Sequence, residues 1–347
     1  MPKYRSKRPK KRRFYGNRYT SKLATDKVVN MEKEKAKIII DTDCGIDDAM
    51  ALMLALNHKD IAQVVAVTCV FGNTTLENVC KNVMRVLVLC DSAEIPIYKG
   101  CSKPLFMQTN PKTVHGRDGL GNRGHEFSTG DLKEDEIPAA IALLQLVKKH
   151  PKEITLIAIG PLTNVALAHR IDPKFTENLK SLVCMGGNYK GVGNTTEVAE
   201  FNFFCDPEAA NIVLTETLCP FALVPWETTV EYGIKWDHYD QLIHITTKKG
   251  VFFKSITEYA ATCGLAKGNK QLFDCDLLAV AAVLYPDCVK ASFKHLAAVE
   301  YSGTFSKGLT ILQREVPENN LGQNEIEIIT DFDQTFIMNL IRQMLKS

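Results

Sequence analysis

Four aspartates fall within eight residues, at Asp41, Asp43, Asp47 and Asp48, directly after the apolar run Ile38, Ile39 and Ile40. Two carboxylates about 4 Å apart repel by roughly 4 kcal/mol at an effective dielectric of 20. A crevice holding several of them must therefore share protons or bind a cation. Oxygen-only ligands favour a hard ion, calcium or magnesium. The β-branched isoleucines suit a strand buried on both faces, and Ala49 to Leu56 is a run of good helix formers, with Gly45 at the turn between them. The acids thus stand at the carboxyl end of a strand and the amino end of a helix, where open α/β sheets place their ligands. The helix dipole supports about one such charge, at roughly 0.3 to 1 kcal/mol. The bland alternative is a helix N-cap with solvated acids. An EF-hand loop fails, because its twelfth position would be Leu52 and the preceding element reads as strand.

Further polar residues recur at strand ends. Asn73 follows the apolar strand Val64 to Val70 and, taken alone, reads as a turn former after Gly72. His115 lies in a long Gly-rich loop, within 93 to 135, of the kind that serves as a lid or is disordered. Gly160-Pro161 ends the strand Ile154 to Ile159 and frees main-chain carbonyls there. Asn194, Glu200 and Asn202 follow the strand Leu182 to Met185 and are of the type that binds sugar hydroxyls. Near the carboxyl end, either Asp274 or Asp276 could supply a last ligand.

Two families share the opening motif. A haloacid-dehalogenase-type phosphatase also begins with a hydrophobic strand and Asp-x-Asp, and would use Asp41 as nucleophile with magnesium. The full string DTDCGIDD, however, resembles the DxDxGxDD signature of the inosine-uridine preferring nucleoside hydrolases. The resemblance extends to VFGN at Asn73, HG at His115, MGGN with EFN and DPEAA, and Asp276 to Ala281 followed by Pro286 against the pattern HDxLAVAxxxxP. That register selects Asp276 over Asp274 and puts Cys275 where many members carry histidine. The resemblance implies a calcium-dependent ribonucleoside N-glycosidase, with Ca²⁺ held by Asp43, Asp48, Asp276 and the Ile159 carbonyl. It also implies that Asp43 deprotonates the attacking water and Asp47 orients the ribose 2′-hydroxyl. Asn73 would line the ribose pocket, Asn194 and Glu200 would meet its 5′ side, Asn202 its 3′-hydroxyl, Met185 the wall, and His115 the base. Members of the family suggest a homo-oligomer, dimer or tetramer.

A chain of 347 residues with 45 % hydrophobic content has ample length for a large core. The expected fold is α/β, a single open, mostly parallel sheet with helices on both faces and the site at the carboxyl ends of the strands. Strands are expected also at Phe221 to Trp226, Leu296 to Tyr301 and Glu325 to Thr330, an exposed helical stretch over 237 to 266, and a closing helix from Asp333 to Leu345. That domain spans 35 to 347. Residues 1 to 34 read as a basic, disordered tail: the first 22 carry ten of the 42 Lys and Arg and no acid. Such a block can bind nucleic acid or an import receptor, or remain a solvated extension, so a non-enzymatic nucleic-acid binder is the third reading. No secretory h-region follows it, and no apolar run is long enough to span a membrane. The eleven cysteines include no CxxC pair and fall in apolar patterns, as reduced thiols do. A cytoplasmic protein is expected, nuclear if the tail is read.

Overall fold

In the computed structural model, residues 35–106, 114–315 and 323–347 are described. The basic tail lies outside them. The strands are β1 (Ala36–Thr42), β2 (Ala62–Cys69), β3 (Ile97–Lys99), β4 (Ile154–Ala158), β5 (Ser181–Met185), β6 (Phe221–Val224), β7 (Ile234–Lys235), β8 (Gln271–Leu272), β9 (Val289–Val299), β10 (Thr310–Gln313) and β11 (Ile326–Phe332). Nine of them form one sheet in the order β10-β9-β11-β6-β5-β4-β1-β2-β3. Pairing is parallel from β3 through β11 and antiparallel where β9 meets β11 and β10. This is the expected open, mostly parallel sheet.

The three isoleucines explain why β1 sits at the centre. Side chains alternate across a strand. Ile38 and Ile40 join the core formed with helices Ile46–Asn57, Leu76–Leu89, Lys248–Ala266, Asp276–Leu284 and Gln334–Lys346. Ile39 joins the opposite core, with helices Ala139–Lys149, Thr163–Ile171 and Pro207–Glu216. Each isoleucine has no solvent exposure. Ile39→Ala should therefore cost about 2 to 5 kcal/mol of unfolding free energy, read from urea unfolding, through the cavity it leaves. A loss below about 1 kcal/mol would show that this face collapses around the missing atoms.

Register brings the strand ends together: Asp41 pairs with Thr68 and Ala158, Ala158 with Cys184, and Met185 with Val224. Several boundaries differ from expectation. The stretch 237 to 266 is two helices, Trp236–Leu242 and Lys248–Ala266, divided where Thr247 accepts the Gly250 N–H. It is not an exposed surface element, since Phe252, Phe253 and Ile256 have no exposure. β6 stops at Val224, because Pro225 caps a short helix, Trp226–Glu231. The loop read from 93 to 135 contains the edge strand β3 and a turn in which Asp118 accepts the Leu120, Asn122 and Gly124 N–H groups.

Candidate active site

The acidic loop is held by its own carboxylates. Asp48, the third residue of helix Ile46–Asn57, accepts the Gly45 N–H at 2.8 Å, the Thr42 hydroxyl and the Asn73 amide at 3.1 Å. Asp43 accepts the Asn73 backbone N–H at 2.7 Å. The approach of this loop to its neighbour demands glycine: a Cβ on Gly72 would lie 2.0 Å from Asp43 Oδ2. Asn82, unflagged in the sequence, braces the same loop by donating to the Cys44 carbonyl at 3.0 Å. Its signal was a polar residue on the apolar face of helix Leu76–Leu89, between Val79 and Val86.

Asp47, Asp48 and Asp276 each place a carboxylate oxygen within 4.8 Å of the others. Asp276 opens helix Asp276–Leu284, so the starts of that helix and of Ile46–Asn57 meet at this cluster. Asp43 Oδ1 and Asp47 Oδ1 are buried without a hydrogen-bond donor. Burial first, and then the charge of neighbouring aspartates, pushes the Asp43, Asp48 and Asp276 carboxyls above the usual range. A group of crowded, donor-poor oxygens of this kind is suited to a hard cation. Asp47, assigned by resemblance to a ribose hydroxyl, thus also belongs to the close acidic group. Asp43, expected as a ligand, has no exposure and lies outside both this close group and the cavity lining.

Asp47 and Asp276 of the cluster line a cavity of about 330 Å³. Nine of the eleven expected site residues line it: Asp47, Asn73, His115, Ile159, Met185, Asn194, Glu200, Asn202 and Asp276. Asn202 donates to the carbonyls of both Ile159 and Met185, at 3.1 and 3.2 Å, joining the ends of β4 and β5. Glu200 caps the short helix Phe201–Cys205, accepting from Asn202, Phe203 and Gly187 backbone N–H groups at 2.8, 3.1 and 2.8 Å. Despite those donors, burial pushes its carboxyl up to about 7. His115 accepts the Ile46 N–H at Nδ1, 3.0 Å away, which leaves the proton of the neutral ring on Nε2. The same Nδ1 lies 3.6 Å from Asp47.

The alternatives of the sequence separate here. Asp41 has no exposure, does not line the cavity, and accepts from Thr68 and from Asn164 at 2.8 Å. That placement gives the dehalogenase-type reading no support, although Asp43 and Asp48, equally without exposure, also lie outside the cavity lining. Asp274 is buried outside the cavity lining, whereas Asp276 faces both cavity and cluster. Cys275 lines the cavity, and its backbone N–H points to Asp47 at 3.4 Å. Its thiol is pushed well up, by burial and then by the Asp47 charge. Trp226, Phe273, Lys267 and Asn269 are among the further lining residues that the sequence does not single out.

Acids gathered at the strand ends of a parallel sheet, opening on an amide-rich cavity, define a hydrolase centre suited to a polyhydroxylated substrate. The family model described as inosine-uridine preferring nucleoside hydrolase matches residues 38–339, and the chain belongs to that family. It is 33 % identical over 310 residues to the inosine-uridine preferring nucleoside hydrolase of Leishmania major, covering 86 % of this chain and 94 % of the relative. It is 31 % identical over 278 residues to a pyrimidine-specific ribonucleoside hydrolase of Escherichia coli, covering 78 % and 85 %. Among solved structures, a plant nucleoside hydrolase superposes with TM-score 0.82 at 29 % identity, over 90 % of this chain and all of that one. An inosine-guanosine nucleoside hydrolase gives 0.80 at 31 % identity, over 90 % and 99 %.

Proposed function

We propose that this protein hydrolyses the N-glycosidic bond of ribonucleosides with a calcium ion, giving ribose and a free purine or pyrimidine base. The observation that carries the reading is the Asp47, Asp48 and Asp276 cluster, two of whose members line an amide-rich cavity, together with the donor-less Asp43 and Asp47 oxygens. Asp43, Asp48, Asp276 and the Ile159 carbonyl would hold the ion, which when bound supplies Lewis acidity toward a water and the ribose diol. Asp43 Oδ1 has no donor of its own and is the group to take the water's proton. Asp47 orients the 2′-hydroxyl, Asn202 the 3′-hydroxyl, and Asn194 with Glu200 the 5′ side. Attack at C1′ passes through an oxocarbenium-like state, whose positive charge the surrounding carboxylates stabilise. Incubation with inosine, uridine, cytidine and adenosine, followed by assay of reducing sugar, tests the reading.

A departing purine needs a proton at a ring nitrogen. Cys275 is poorly placed to give it, because a thiol is a weak donor and this one is held well above its ordinary value. His115, with its proton on Nε2, is the candidate acid. Cys275→Ala should change turnover of inosine and of a ribosyl nitrophenolate, whose leaving group needs no proton, by similar factors of about threefold or less. A hundredfold loss confined to inosine would make Cys275 the acid, since such catalysis contributes roughly 10² to 10⁴-fold.

We further propose a homo-oligomer, by likeness to the family, and a cytoplasmic location, nuclear if residues 1 to 22 engage an import receptor. No helix among the described residues is long and apolar enough to cross a membrane.

A further inference from the structure

Glu227 is an acid that the mechanism above does not use. It is the second residue of helix Trp226–Glu231 and is 8 % exposed. Its carboxylate accepts the backbone N–H groups of Lys190 at 2.7 Å, Tyr189 at 3.0 Å and Val192 at 3.4 Å. Several amides of one loop therefore converge on a single internal anion, the arrangement that elsewhere binds a free anion. The loop begins at Gly187, whose φ of +61° turns the chain and whose carbonyl accepts the Trp226 N–H at 2.9 Å. Asn188 straps its neck by donating to Val192 and Val198 carbonyls at 3.1 and 2.6 Å. Beyond Val192 the tip closes on itself, with Asn194 N–H on the Ala199 carbonyl at 3.2 Å. Only this tip reaches the cavity, through Asn194 and Thr195, and the Thr195 hydroxyl donates to Asn194 Oδ1 at 3.1 Å.

We infer that Glu227 is a positioning residue, fixing the loop that carries Asn194 and so setting recognition of the substrate's 5′-hydroxyl. The inference rests on the nucleoside reading and on Asn194 meeting the 5′ side. These are charge-assisted hydrogen bonds, the stronger kind, so losing them frees the tip without touching the acidic cluster. The loss should then fall on the 5′ end of the substrate rather than on bond cleavage.

The test compares uridine with 5′-deoxyuridine in wild type, Asn194→Ala, Glu227→Ala and Glu227→Gln, at saturating calcium. Wild type should prefer uridine, and Asn194→Ala should abolish the preference. Glu227→Ala should lower it by about tenfold, through a raised KM for uridine, with turnover of 5′-deoxyuridine within about threefold of wild type. Formate, which fits the space left by the carboxylate, should restore preference in Glu227→Ala but not in Asn194→Ala. Glu227→Gln keeps the side-chain volume and should give an intermediate loss, so the inference stands or falls on it should the alanine variant fold poorly. Retained preference in the Glu227 variants, or equal loss on both substrates, overturns the inference. A wild-type protein that releases no free sugar from uridine, inosine, cytidine or adenosine overturns the nucleoside reading instead.

Discussion

Replacing Asp276 with alanine should lower kcat/KM for the best nucleoside by about 10³-fold, equivalent to roughly 4 kcal/mol. The residue contributes one of three carboxylate oxygens packed within 4.8 Å, and its removal takes away a hard ligand at the first turn of helix Asp276–Leu284. Calcium affinity measured by titration calorimetry should fall with it. Stability in chelator should move the other way. Burial and the charges of Asp47 and Asp48 oppose ionisation of Asp276, so its loss relieves repulsion and should leave the Tm of the metal-free protein unchanged or higher. Asp274→Asn, changing the acid outside the cavity lining, should keep calcium binding within about threefold. The reverse pattern would place the ligand at Asp274.

Asp43→Asn should lower kcat by about 10² to 10⁴-fold at saturating calcium and nucleoside, the range expected for losing a general base. The amide keeps an oxygen to accept the Asn73 N–H, now 2.7 Å from Asp43, so the loop should survive. A burst-free time course with unchanged substrate affinity would separate lost proton transfer from lost binding. Near-normal kcat would assign the base elsewhere, with Asp47, whose Oδ1 also lacks a donor, the next candidate.

The sequence made the catalytic end of the molecule legible because strand ends advertise themselves: three isoleucines, then acids, then helix formers. Strand-end placement pointed to the Gly160-Pro161 turn, whereas Asn73 and Asn202 read alone as turn and loop residues and were singled out by the family resemblance. What joins them was hidden, since the bonds that assemble the site span long stretches of chain. Asn202 reaches back 43 residues to Ile159, and Cys275 meets Asp47 across 228. Glu227 carries no signal in the sequence, because nothing local reveals that its partners lie in another loop. The edge of the sheet was misjudged for a different reason. β9 is largely open to solvent along its first half, so Lys290, Ser292 and Lys294 break the apolar pattern that marked the buried strands. Helix Lys248–Ala266 carries polar residues among its phenylalanines, and only packing against helices Ile46–Asn57 and Gln334–Lys346 shows which face is inside.

The account turns on metal-dependent release of ribose, and a single chelation series measures it. Purified protein is incubated with inosine and with uridine, and free ribose is followed before chelation, in excess chelator, and after calcium is restored. Ribose should appear from at least one nucleoside, stop when the ion is withdrawn, and return when calcium is added back. Ribose release that continues undiminished in excess chelator would contradict the account.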